Sequence, residues 1–282
     1  MKRHSTFENS LRQKLTTREI IPFIGVYDVF SASLAAQFYD GIFISGFSFA
    51  ASYYGLPDIG FIAWSDMVAF VQRVRTVLPH HYILVDIDDG YTDTETACHV
   101  VSLLEAIGTS AIVIEDQKRP RRCGHFDGKQ LMELEEFLPK LHRVLATRRE
   151  MLVIARTDAS EFDDIIRRVR GFATAGADVI LVDAIADIGL VKTLKNEVNL
   201  PIAFNQIAGG KSPACHLQEL KDAGVSLVIY STPCLFAAQM AIEEAMRSLN
   251  KNDGLLPTGK GQVDVQSCTA ILKDNMTRRN QK

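Results

Sequence analysis

Three consecutive stretches decide the fold: Tyr82–Asp88 (YILVDID), Thr94–Ile107 (TETACHVVSLLEAI) and Ser110–Gln117 (SAIVIEDQ). The outer two are almost continuously apolar, the pattern of strands covered on both faces. Between them Ala97, Val100, Val101, Leu104 and Ile107 recur at helical spacing, and Gly108 stands where such a helix has to stop. This is one strand–helix–strand unit, and the chain repeats it. Further strands are expected at Ile20–Asp28, Gly41–Phe47, Met151–Asp158, Asp178–Ala184, Pro201–Ile207 and Ser226–Thr232. Further helices are expected at Ser65–Leu78, Phe162–Ala175, Ile188–Val198, Leu217–Ala223 and Cys234–Leu249, with Ser65 as an N-cap, Asp66 in a first turn, and Gly176 and Gly224 as stops. Eight strands, each followed by a helix, predict an α/β fold of the (β/α)8 TIM-barrel type; a doubly wound open sheet is the alternative.

Composition agrees with a soluble globular chain: 282 residues, 47% apolar, with 31 Lys and Arg against 34 Asp and Glu for a net charge of −3. That balance gives no electrostatic case for nucleic acid. No apolar run reaches about 18 residues, so no membrane span is expected. The basic start Met1-Lys2-Arg3-His4-Ser5 lacks a following apolar stretch and does not read as a signal peptide. Five cysteines, with no C-x-x-C pair, suit reduced thiols and a cytoplasmic setting. With no linker or composition break, residues 1–282 read as one barrel domain, residues 250–282 being a C-terminal helical extension and tail whose end, from Thr277, frays. Helix Cys234–Leu249 is apolar on more than one face, which calls either for a second subunit or for packing on its own barrel.

In such a barrel, functional groups sit at the C-terminal strand ends. Here those ends carry Asp28, Ser45-Gly46, Asp86 and Asp88, Glu115-Asp116, Arg156 and Asp158, Asp183, Asn205-Gln206 and Ser231. Asp86 and Asp88, two apart on a strand, are expected to point the same way. With Glu115 they form an all-oxygen site suited to Mg²⁺ or Mn²⁺, the alternative being a solvated turn cap. Arg156 offers a planar cation to a substrate carboxylate or phosphonate, or forms an internal salt bridge to Asp158 or Asp183. Backbone N–H groups near Ser45-Gly46 complete a site for a small anionic substrate. The basic segment Arg119-Pro120-Arg121-Arg122-Cys123-Gly124-His125 reads as a gating loop hinged at Gly124. Flanking cations are expected to lower the Cys123 thiol pKa, making it a proton donor or acceptor. His125 has either an orienting role or none beyond a solvated loop position.

The ordered motifs Gly25-Val26-Tyr27-Asp28, Ser45-Gly46, Gly55–Gly60, Asp86–Gly90, Ile114–Gln117, Arg121–His125, Ala155–Ala159 and Asn205–Pro213 resemble the isocitrate lyase/phosphoenolpyruvate mutase superfamily over residues 8–250. The resemblance implies Asp86 as a direct Mg²⁺ ligand, with Asp58, Asp88 and Glu115 acting through metal-bound water. It implies Ser45, Gly46 and Phe47 on a substrate carboxylate, Arg156 on an oxyanion, and Gly124 and Asn205 among the substrate-binding groups. Cys123 becomes the proton donor to an enolate, with His125 beside it among the catalytic residues. The expected activity is carbon–carbon bond cleavage of a 2-hydroxy or 2-keto dicarboxylate such as a substituted malate. Alternatives are carboxyphosphonoenolpyruvate mutase-like C–P chemistry, or a non-catalytic barrel that binds an anionic metabolite. The family's last barrel helix swaps between subunits, implying a homotetramer built as a dimer of dimers. Three positions depart from the family pattern: Ala208 replaces a Glu, Asp183 replaces a Glu, and Arg121 replaces a Lys. The first two put the ordinary substrates in doubt and leave the metal site and Cys123 intact.

Overall fold

The computed structural model describes residues 5–17, 19–256 and 263–280, with side chains from residue 11 onward. The basic start Met1–His4 and the last two residues of the expected tail lie outside the described residues. Eight strands close into a barrel in sequence order: β1 (Ile21–Val26), β2 (Gly41–Ile44), β3 (Tyr82–Asp86), β4 (Ala111–Glu115), β5 (Leu152–Thr157), β6 (Val179–Val182), β7 (Ile202–Gln206) and β8 (Val225–Tyr230). Every adjacent pair is parallel, and β8 pairs with β1. The open-sheet alternative is thereby excluded.

The apolar runs split between two cores with a period of two. Ile24, Val26, Ile42, Ile44, Ile83, Val85, Ile112 and Ile114 face outward onto the helices. Ile21, Phe23, Phe43, Tyr82, Leu84, Ala111, Val113, Leu152, Ile154, Val179, Leu181, Ala203, Leu227 and Ile229 fill the barrel interior. Leu11 and Leu15, from the helix Ser5–Thr16, join that interior core and stopper the barrel at its N-terminal end. Arg12 pins this plug through Asp178 at 2.7 Å.

Helices Thr94–Ile107, Phe162–Ala175 and Leu217–Ala223 have the expected limits, and Gly108, Gly176 and Gly224 end them in the left-handed conformation. Other expectations shift. The helix expected from Ser65 is Trp64–Val77, with Ala63 at its cap and no side-chain cap bond; Asp66 does sit in its first turn. Helices Ser5–Thr16, Val29–Ala35 and Leu134–Thr147 were not anticipated; the last contains Pro139, which obscures its periodicity. Asp28 ends no strand: it caps Val29–Ala35 in a capping box with Ser31. The chain expected to fray from Thr277 is instead part of a helix, Val265–Arg279, which packs back on the barrel, with Asn275 Nδ2 donating to Ser33 Oγ at 2.8 Å. Helix Pro233–Lys251 has no buried residue and exposes Met240, Ile242 and Met246.

Candidate active site

Stepping two residues beyond the apolar interior positions places the next inward side chain of each strand. These residues are Gly25, Ser45, Asp86, Glu115, Arg156, Asp183, Asn205 and Ser231. The alternation that fills the barrel with Val, Ile and Leu thus roofs it with polar groups at the catalytic end. At β1 the roof needs glycine, because a Cβ on Gly25 would collide with the Ser231 backbone. Above the roof lies a cavity whose lining includes Ser45, Phe47, Asp58, Asp86, Arg121, Cys123, Gly124, His125, Arg156 and Asn205.

One half of the cavity is an acid cluster. Asp86 ends β3 and Glu115 ends β4; Asp58 comes from the loop after β2. Asp88 has left the strand, with φ +54°, so strand alternation does not aim it. It still converges with Asp86: both carboxylates lie against Gly46, where a Cβ would be 3.2 Å from Asp88 Oδ1 and 3.3 Å from Asp86 Oδ2. The centre of the cluster is Arg121, only 1% exposed. It pairs with Asp58 in a short contact, with Glu115 at 2.9 Å and with Asp88 at 3.2 Å. Burial raises the carboxyl pKa of Asp86 and Asp88, and lifts that of Glu115 to about 7. Asp88 Oδ1 and Glu115 Oε2 are left without a hydrogen bond, facing Arg121 and Arg156 at 3.2 and 3.3 Å.

The other half is organised by Arg156. Its guanidinium is bidentate to Asp158 at 2.9 and 3.0 Å and reaches Asp183 at 2.7 Å. The internal salt bridges therefore prevail over an open cationic fork. Asp158 is pressed by burial toward protonation, but Arg156 overcomes this and holds its carboxyl down at about 2. Asn205, expected on the substrate, is locked in a chain: Ser231 Oγ donates to Asn205 Oδ1 at 2.6 Å, and Asn205 Nδ2 donates to Asp183 at 2.8 Å. Ser45 Oγ accepts from the Ser48 N–H at 3.3 Å, so it also caps the short helix Gly46–Phe49. Phe47 forms part of the wall, edge-on to Phe236.

The basic loop is a lid. Its neck is closed by an antiparallel bridge between Gln117 and Leu131 and by reciprocal bonds between the Gln117 amide and the Arg122 backbone at 2.8 and 2.9 Å. The expectation for Cys123 reverses: burial pushes its thiol up to about 11. Arg121 turns away into the acid cluster and exposed Arg122 bonds to the Asp127 carbonyl, so neither flanking cation offsets that burial. Gly124 serves close approach more than hinging, since a Cβ there would fall 2.5 Å from Arg156 Nη2 and from Asp158 Oδ1 and would collide with Asp183. Lys129 locks the lid through Asp158 at 3.2 Å and the Gly124 carbonyl at 2.5 Å. His125 is buried. Its Nδ1 accepts the Lys211 N–H at 2.9 Å, which leaves the proton on Nε2, 3.7 Å from Asp183. Burial lowers its pKa, so the ring is neutral near pH 7.

The acid cluster fits a hard divalent cation by chemistry. It supplies four carboxylates and no soft ligand, two of its oxygens lack hydrogen bonds, and in the whole cavity carboxylates outnumber cations. Among the described residues no three His, Cys, Asp or Glu side chains converge as a ready metal cage. Mg²⁺ asks for only one or two direct carboxylates and keeps water on its other faces, so a looser set suits it. Asp158 was anticipated as a partner of Arg156; Arg121 and Lys129 were not anticipated as organisers, and only the departure from Lys at position 121 pointed to the first of these.

A family model described as phosphoenolpyruvate phosphomutase matches residues 11–250. The chain belongs to the phosphoenolpyruvate mutase/isocitrate lyase superfamily. Within that superfamily it is 30% identical to a 2-methylisocitrate lyase of Aeropyrum pernix, over 85% of this chain and 78% of the relative. A crystal structure of 2,3-dimethylmalate lyase superposes with a TM-score of 0.90 at 28% identity, covering 96% of this chain and 94% of that one. A phosphonopyruvate hydrolase in complex with oxalate and Mg²⁺ superposes with a TM-score of 0.85 at 25% identity, covering 97% of both chains. The superfamily member described here is an enzyme, and the relatives named above are lyases and a hydrolase.

Proposed function

We propose that the protein is a Mg²⁺-dependent lyase, Mn²⁺ being able to substitute, that cleaves a carbon–carbon bond of a small 2-hydroxy or 2-keto dicarboxylate such as a substituted malate. The observation that carries this reading is the charge in the cavity. Asp58, Asp86, Asp88, Glu115, Asp158 and Asp183 line or abut it, against Arg121, Arg156 and Lys129. A dianionic substrate entering such a site needs a further cation. Asp86 would hold it directly, with Asp58, Asp88 and Glu115 through water. When bound, a divalent cation supplies Lewis-acid stabilisation of the negative charge that develops on oxygen.

The chain's own groups do the rest. Ser45, Gly46 and Phe47 orient one substrate carboxylate, and neutral His125 offers Nε2–H to another polar group. Arg156 keeps its charge facing the cavity while Asp158 and Asp183 fix its plane. As the carbon–carbon bond breaks, a carboxylate of the acid cluster takes the 2-hydroxyl proton, the new C=O forms and the bonding electron pair passes to an enolate; Cys123, a protonated thiol on the lid, then delivers a proton to the enolate carbon. The lid residues Gly124 and Lys129 keep water from competing.

The test is incubation with 2-methylisocitrate and 2,3-dimethylmalate in deuterated water, followed by proton NMR. The expected result is a 2-keto acid and a carboxylate carrying one new deuterium, abolished by chelator and restored by Mg²⁺. A phosphonate signal from a phosphoenolpyruvate-type substrate in phosphorus NMR would shift the reading to C–P chemistry. Tight binding without turnover would leave an anion-binding barrel.

We also read residues 1–282 as one domain working in the cytoplasm, where free thiols persist. The uncovered helix Pro233–Lys251 supports a swapped contact between copies, in a dimer of dimers. Light scattering is expected to give a mass near four chains; a concentration-independent monomer would end that reading.

A further inference from the structure

Arg119 lies outside the cavity, yet its guanidinium ties its own loop to two others. Nε and Nη2 form a bidentate pair with Asp89 at 2.9 and 2.8 Å, and Nε also donates to the Tyr91 carbonyl at 3.1 Å. Nη1 reaches the Gly60 carbonyl at 3.4 Å. Gly60, at φ +91°, leaves room for it: a Cβ there would sit 3.3 Å from that nitrogen. Asp89 is buried, and its carbonyl is gripped from behind by the Lys140 ammonium.

The three loops are the ones that build the acid cluster. The loop with Gly60 carries Asp58; Asp89 and Tyr91 follow Asp86 and Asp88; Arg119 itself lies at the lid's neck, two residues before Arg121. A surface ion pair between two free side chains would be worth little. Here one partner is buried, the geometry is a fork on a carboxylate, and two backbone carbonyls share the same cation.

We infer that Arg119 and Asp89 are positioning residues: a clasp that sets how deep Arg121 enters the acid cluster and holds the lid, with Cys123, over the cavity. Asp89 supplies the fixed post, and Arg119 ties the lid to it. Neither touches the cavity. The consequence for turnover rests on the proposed lyase reading; the clasp itself does not.

The decisive measurement is peptide-resolved hydrogen exchange of the full chain, with no metal or substrate added. In Arg119→Ala and in Asp89→Asn, exchange across residues 118–129 should rise about tenfold, as expected for loss of charge-assisted bonds. The β5 peptide, residues 152–157, should stay as in the wild type. The double variant should exchange no faster than Arg119→Ala alone, because that variant has already lost the Asp89 interaction. Arg119→Lys should fall between, since an ammonium cannot make the fork. Where turnover is found, Arg119→Ala should lower kcat about tenfold with KM changed less than about twofold, because the lid orients the proton donor more than it binds substrate. Exchange within about twofold of wild type in both single variants would overturn the clasp, as would faster exchange in β5 to the same degree. A wild-type protein without lyase turnover would overturn the proposed function and leave the exchange result to decide the clasp.

Discussion

Replacing Cys123 with Ser is expected to cut lyase turnover by about 10²–10⁴-fold, the usual contribution of a positioned general acid. Substrate KM should change little, because the thiol meets the reaction after the bond has broken. Serine preserves the size and hydrogen-bonding of the side chain, and Cys123 makes no core contact whose loss would unfold the lid. What it cannot preserve is acidity: an alcohol gives up its proton far less readily than a thiol. The structure refines which property of Cys123 matters. A thiol pushed up to about 11 is a poor nucleophile at neutral pH but keeps its proton ready for a carbanion. The wild-type step that needs this proton should therefore hold its rate up to about pH 10. A variant that retains more than a tenth of wild-type turnover would remove Cys123 from the proton-donor role and direct attention to His125 Nε2–H.

The barrel was legible because its strands are buried on both faces: runs such as YILVD and AIVIE leave no other stable placement in a soluble chain. The polar roof was legible for the same reason, since each of its residues follows its strand's apolar positions in register. Side-chain partnership was legible only as alternatives. An internal salt bridge from Arg156 to Asp158 or Asp183 stood beside an open cationic fork, and folding decides for the bridge, with both aspartates paired at once. Arg121 and Cys123, two residues apart in a basic run, read as members of one cationic patch. In space one is inside an acid cluster and the other against it, so the sign of the thiol shift depends on where the arginines point. The extent of the C-terminal helix Val265–Arg279, within the expected helical extension, was hidden because its sequence is weakly amphipathic. Its anchoring is a polar bond, Asn275 to Ser33, which leaves no apolar period to detect.

Arg121→Met should destabilise the metal-free protein by about 3–5 kcal/mol, the cost of breaking a buried ion pair by removing one partner. At about 2–4 °C per kcal/mol for a chain of this size, the midpoint of thermal unfolding should drop by roughly 10 °C. Methionine replaces much of the buried volume, so the loss is electrostatic and not a cavity. Asp58 and Asp88 would remain buried without their cation, and Glu115 with Arg156 alone. The dependence on pH identifies the cause. Burial already raises the folded-state pKa of Asp86, Asp88 and Glu115, the last to about 7, and Arg121 works against that rise. Without Arg121 those values rise further. A carboxyl whose folded pKa exceeds its unfolded value, near 4, imposes no penalty while protonated in both states; its penalty grows as pH climbs from the unfolded to the folded pKa and is constant above it, so wild type and variant part only where pH exceeds the wild-type folded values. The deficit of the variant should therefore be largest at pH 8 and shrink as pH falls toward 5. Mg²⁺ should restore more stability to the variant than it adds to the wild type, since in the variant Arg121 no longer competes for the same oxygens. Equal stability of the two proteins at pH 8 would mean that the acid cluster is hydrated and that Arg121 does not hold it together.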